Sequence, residues 1–143
     1  MKANIEIEAG VMAALNKFNK TYEKRDMEGV LSLLIPDPDV IVIGTGQDEK
    51  RIGTDEIRLQ LERDWSQTDV VSIEIQRHMI SAAGKVAWIT ADILFRARTG
   101  GQGIKLPSRL TAVLEQRGKR WLIAQWHVSV PAAGQKEEES FPA

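Results

Sequence analysis

The sequence predicts an α+β fold: a cone in which three helices packed on one face meet a curved, mainly antiparallel sheet. Three observations predict it. Helical periodicity is confined to the first half of the chain, and long alternating segments fill the second half. The segment Arg109 to Pro131 reads as two long strands joined by a tight turn at Gly118-Lys119. Strict alternation there puts Leu110, Ala112, Leu114, Leu122, Ala124, Trp126, Val128 and Val130 on one wholly apolar face. Arg109, Thr111, Val113, Trp121, Ile123, Gln125, His127 and Ser129 fall on the other, which is mixed. A sheet this apolar on both sides is expected to be covered on both, by helices on one and by a second copy of the chain on the other.

The elements follow in order. Ile5 to Arg25 has a helical stripe of Ile7, Val11, Ala14, Leu15, Phe18 and Tyr22, with Lys17, Lys20, Glu23 and Lys24 mainly off it. Asp26 is placed to cap a second helix, Met27 to Leu34, which Pro36 and Pro38 end. Val40 to Ile43 is a short strand broken by Gly44-Thr45-Gly46, and Gln47 to Gly53 reads as a polar loop. Thr54 is the expected N-cap of a third helix, with Asp55 and Glu56 at its positive end and Ile57, Leu61 and Trp65 on one face. Val70 to Ser81, Val86 to Arg98, Lys105 to Arg117 and Arg120 to Pro131 then form an antiparallel meander. Residues 1–131 make one domain, and the Gly-, Glu- and Lys-rich residues 132–143 are expected to be a disordered tail.

Composition excludes several functions. The chain has 143 residues, enough for a single core, and a net charge of −1 gives no electrostatic case for nucleic acid. There is no cysteine, so thiolate chemistry and disulfides are excluded. No run of apolar residues is long enough to span a membrane, the start lacks a signal-peptide core, and a cytoplasmic location is the default. No His/Asp/Glu cluster has metal-ligand spacing, so neither a metal nor another cofactor is expected. Gly100-Gly101-Gln102-Gly103 lacks the Lys-Ser/Thr of a phosphate loop and reads as a hairpin turn.

Two motifs carry a resemblance. Trp121-Leu122-Ile123-Ala124-Gln125-Trp126-His127-Val128-Ser129 is similar to the Trp…His-x-Ser ending of SnoaL-like domains and of the calcium/calmodulin-dependent kinase II association domain. Gly84-Lys85-Val86-Ala87-Trp88 resembles the entry to the middle strand of SnoaL-like members. Over Ile5 to Pro131 the order of elements resembles the nuclear transport factor 2-like superfamily, which also holds ketosteroid isomerase and scytalone dehydratase. The resemblance implies a cystatin-like roll with a cavity in the cone and a homodimer joined through the sheets. The superfamily hosts enzymes, binding modules and association domains, so the fold does not assign an activity. Ketosteroid isomerases carry a carboxylate base where this chain has Ile43, and no carboxylate lies within Val40 to Gly46. Scytalone dehydratase chemistry needs paired histidines, and only His78 and His127 exist here.

The mixed face is expected to line the cavity, because buried polar groups there would meet a ligand or water. His127 is either a hydrogen-bonded residue of the sheet or interface, or a general acid or base. Arg109 and Asp92 are either a structural ion pair, or an anchor for a ligand carboxylate or carbonyl with Asp92 orienting it or acting as base. Thr111 and Gln125 share that face. Tyr22, Trp65 and Trp88 either belong to the core or line the pocket, and Trp126 is read as core or dimer packing. The expected function is binding of a small organic molecule in the cone, with cofactor-free isomerase-, dehydratase- or cyclase-type acid–base catalysis if the protein is an enzyme. The competing expectation is a non-enzymatic association module.

Overall fold

A computed structural model describes residues 1–142. The order is α1 (Ile5–Glu23), α2 (Met27–Leu31), β1 (Ile41–Ile43), β2 (Lys50–Ile52), α3 (Thr54–Ser66), β3 (Val70–Ala83), β4 (Val86–Thr99), β5 (Gln102–Arg117) and β6 (Arg120–Ser129). Helices pack on one face of a six-stranded, curved, mostly antiparallel sheet, as the sequence predicts. The strand order is β2-β1-β6-β5-β4-β3, and β1 runs parallel to β6.

Each helix forms for a local reason. Asn4 accepts a hydrogen bond from the Ile7 amide at 2.9 Å and caps α1, whose buried stripe is Val11, Ala14, Leu15, Phe18 and Tyr22. Asp26 caps α2 through the Gly29 amide at 3.0 Å. That helix is shorter than expected. After Leu31 the chain tightens, with Leu33 N–H donating to the Val30 carbonyl at 3.0 Å, and Leu34 then pairs in parallel with Ile123 of β6. The sheet wins Leu34 because pairing there buries it to 4% exposure.

Two expectations need correcting. Gly53, at φ 84°, holds the cap position of α3, and Thr54 is already its first helical residue with no side-chain cap. Residues 50–52 form strand β2, paired with β1, where a polar loop was expected. Lys-Arg-Ile shows no apolar alternation because β2 is an edge strand with exposed Lys50 and Ile52.

Two β-bulges shape the sheet. In β3 the register shifts between Ile75 and His78, and in β6 it shifts opposite Val113 and Leu114 of β5. The second places Val113 opposite Gln125 and Leu114 opposite Ile123, leaving Ala124 as the extra residue. Facing residues share a side of the sheet. Trp121 and Ile123 therefore join Trp126 and Val128 on the helix-covered face, contrary to strict alternation. Gln125 and His127 point to the other face. The core lies between that inner face and the helices, with Leu15, Ile89, Ile93, Leu110, Leu114 and Ile123 fully buried. Residues 132–142 run as irregular chain with turns, such as Gln135 N–H to the Ala132 carbonyl at 3.2 Å.

Candidate functional site

Between the inner face and the helices lies a cavity of about 260 Å³. One wall is apolar and comes from the sheet: Val42, Val71, Ile73, Phe95, Ala97, Ile104, Leu106, Trp126 and Val128. Phe18 and Tyr22 reach it from α1, and Val30 and Leu34 from the α2 segment. The opposite wall carries the polar groups. These are Gln60, Asp64, Gln67 and Thr68 along and after α3, and Thr45 and Glu49 from the loop after β1.

The periodicity of α3 explains its mixed face. Ile57, Gln60, Leu61 and Asp64 recur at three- and four-residue steps, so the stripe that meets the cone carries two polar side chains among its apolar ones. Gln60 is 6% exposed and would be costly unpaired. Its Nε2 donates to Asp64 Oδ1 at 2.7 Å, and its Oε1 accepts from Arg51 Nε at 2.9 Å. The Tyr22 hydroxyl donates to Asp64 Oδ2 at 2.8 Å. Burial, then the neighbouring Asp64 carboxylate, pushes the Tyr22 phenol far above its usual ionisation range, so it stays neutral and acts as a donor.

The two helix ends that carry this dyad are tied together. Arg25 takes a left-handed conformation at φ 59°, and its guanidinium donates to the Trp65 carbonyl and, at 2.6 Å, to the Thr68 carbonyl. Trp65 Nε1 donates to the Tyr22 carbonyl at 3.1 Å, and the two rings lie 5.9 Å apart. Thr68 Oγ1 closes the end of α3 on the Asp64 carbonyl at 2.7 Å. At the cavity mouth, Glu49 folds back over Gly44 and Gly46, where a Cβ at Gly44 would collide with its carboxylate. Arg63 Nη2 lies 3.5 Å from Glu49 Oε1, but Arg63 is chiefly held by Asp48, with hydrogen bonds of 2.7 and 3.1 Å.

The residues of the mixed face lie away from this cavity. Arg109, Thr111, Gln125, His127, Trp88 and Asp92 point to the outer face of the sheet and none lines the cavity. This corrects the expectation that the mixed face bounds the cone. The physical reason is that the helices bury the more apolar side, and a cavity under them inherits apolar walls. Asp92 and Arg109 are cross-strand partners in β4 and β5, yet among the described residues no ion pair joins them. His78 and His127 stand on β3 and β6, separated by β4 and β5, and do not form a pair. Of the expected pocket residues, Tyr22 lines the cavity, and Trp65 supports it from behind. Trp126 lines it too, with its ring 4.7 Å from Phe18. Among the described residues no group of three or more His, Cys, Asp or Glu side chains is placed to hold a metal. No helix is long and apolar enough to cross a membrane.

Comparison with known proteins is consistent with this architecture. The SnoaL-like domain model matches residues 11–133. No curated protein matches the chain in sequence. Among solved structures, a candidate dehydratase of the nuclear transport factor 2-like family from Streptomyces avermitilis superposes with a TM-score of 0.79 at 19% identity, covering 87% of this chain and 96% of that one. A candidate calcium/calmodulin-dependent protein kinase II association domain from Xanthomonas campestris gives 0.76 at 21% identity, covering 86% of each chain. A nuclear transport factor 2-like superfamily protein from Salmonella enterica gives 0.78 at 19% identity, covering 94% of this chain and 96% of that one. At these identities the likeness is one of fold.

Proposed function

The chain belongs to the SnoaL-like family, and from that premise we propose that its cone binds a small, mainly apolar organic molecule with a polar group directed at Tyr22 and Asp64. The observation that carries this reading is an apolar cavity whose hydrogen-bonding groups gather on one side, around an Asp64 carboxylate that uses Tyr22 and Gln60 as neutral donors. Ligand sites commonly combine apolar walls with a few convergent polar groups. The volume of about 260 Å³ exceeds the roughly 150 Å³ that suffices for benzene, so the cavity suits a molecule of one or two rings.

The same groups would support cofactor-free acid–base chemistry. An ionised carboxylate accepts at about four lone-pair sites, and Asp64 uses two of them on protein donors. A ligand C–H or O–H reaching Asp64 would meet a base, while the neutral Tyr22 hydroxyl would donate to an oxygen gaining charge. The candidate dehydratase among its structural neighbours is compatible with this chemistry.

The outer face suits a second copy of the chain. Ile41, Ile43, Trp88, Leu94 and Val113 are half-buried there with no helix over them, and Thr111, His127, Arg109 and Asp92 are exposed among them. A two-fold dimer would bury this mixture against itself. That assigns the polar residues of the mixed face to an interface rather than to the ligand.

A thermal-shift screen of uncharged cyclic ketones, phenols and terpenoid alcohols tests the reading. Ligands of this class should raise the melting temperature with the logarithm of their concentration, and Tyr22→Phe or Trp126→Ala should weaken the shift. Absence of any shift in folded protein, or equal shifts in the variants, would overturn it.

A further inference from the structure

The charge of the cavity is one-sided. Among the described residues that line it, Glu49 and Asp64 are acidic and none is Lys, Arg or His. The two carboxylates are neutralised to different degrees. Glu49 has Arg63 at 3.5 Å, on a guanidinium already engaged by Asp48. Among the described residues, Asp64 accepts from the hydroxyl of Tyr22 and the amide of Gln60 and has no cation within ion-pair distance; Arg63 acts on it only from farther off. A half-buried carboxylate whose direct partners are neutral donors still has room for a paired cation.

A second feature points the same way. The rings of Phe18, Tyr22 and Trp126 all border the cavity, with Phe18 and Tyr22 stacked at 6.4 Å and Phe18 and Trp126 at 4.7 Å. Aromatic faces attract cations through their quadrupole, most strongly where water is excluded. The carboxylate therefore selects for a cation and against a ligand carboxylate or phosphate, and the rings supply an apolar wall that tolerates a cation nearby. Arg109, the one residue the sequence offered as an anion anchor, is on the far side of the sheet.

We propose that the preferred ligand is a protonated amine on an aromatic or alicyclic body, its ammonium paired with Asp64 and its apolar body held against Phe18 and Trp126. This rests on the ligand-binding reading above and narrows it from a small polar group to a cation. The body fills the sheet-side wall, and the ammonium donates to the free lone pairs of Asp64 without displacing Tyr22.

Three probes share one body and differ in charge: 2-phenylethylamine, 2-phenylethanol and phenylacetate. Each is titrated by calorimetry into the full chain at low salt, where a charge preference is least screened. The amine should bind about tenfold tighter than the alcohol, and phenylacetate should bind weakest. Asp64→Asn, with its fold checked by circular dichroism, should weaken the amine more than the alcohol and bring the two to within about threefold of each other. Glu49→Gln at the mouth should lower the amine preference by only about threefold, and it provides a second test if Asp64→Asn does not fold. An amine no tighter than the alcohol in the unaltered protein, or a full preference surviving in folded Asp64→Asn, would overturn the inference and leave the ligand reading standing. Failure of all three probes to bind would overturn both.

Discussion

Tyr22 and Asp64 form a hydrogen-bonded pair on the polar side of the cavity, and each depends on the other. The phenol is 6% exposed and donates to a half-buried carboxylate, so removing the hydroxyl strips Asp64 of one of its two donors. Tyr22→Phe should cost about 1–2 kcal/mol in chemical denaturation, since water reaches Asp64 only in part. It should also change the alkaline limb of stability. The phenol's ordinary value is 10.0, and in the fold it is raised well above that, by burial first and by Asp64 second. Above about pH 10 the unfolded chain gives up this proton and the folded chain keeps it, so stability falls as pH rises. The wild-type curve should therefore drop more steeply above pH 10 than that of Tyr22→Phe; parallel curves would contradict the assignment. Tyr22 was legible in the sequence because it closes a clear apolar stripe and carries a polar tip. Asp64 and Gln60 were not, because polar residues on a helix are read as its solvent face. Their spacing with Ile57 and Leu61 was the available signal, and reading it required knowing which way α3 turns toward the sheet.

At the level of elements, the Ala124 bulge decides which residues of β6 face the helices and the cavity. With strict alternation through Ala124, Trp121 and Ile123 could not share a face with Trp126 and Val128: either Gln125 and His127 would turn to the core, or Trp121 and Ile123 would leave it. Deleting Ala124 removes the extra residue and leaves Trp121, Ile123, Trp126 and Val128 on one face by strict alternation, in the same pairing with β5. The expected result is a retained cooperative melting transition, read by circular dichroism; loss of that transition would show that the bulge itself is needed. Bulges were the main thing hidden from the sequence. They leave no compositional mark here, since Ala124 sits in a run of strand-compatible residues. The strands themselves, the hairpin glycines Gly84 and Gly118 with φ of 60° and 64°, and the Asp26 cap were all legible, because each is set by neighbours in the chain. Edge strand β2 was not, since three residues paired only with β1 carry too little pattern.

At the level of the whole molecule, a six-stranded sheet with helices on one side has a face left over. Proposing a second copy there predicts a dimer in sedimentation equilibrium, weakened to monomer by Val113→Asp, which places a charge among the apolar groups of the outer face. A monomeric wild type would refute the dimer. The fold was legible because helix-then-strand order survives errors of a residue or two. The choice of cavity face was not, because both sides of the meander are apolar enough to be covered. In the proposed binding mode the ligand sits under the helices, on the inner face, with its polar group at Asp64. A crystal structure of the protein soaked with its best-binding compound tests this most directly. Density is expected between Phe18, Tyr22 and Trp126, with a ligand heteroatom within hydrogen-bonding distance of Asp64. Density against His127 and Arg109 on the outer face would contradict it.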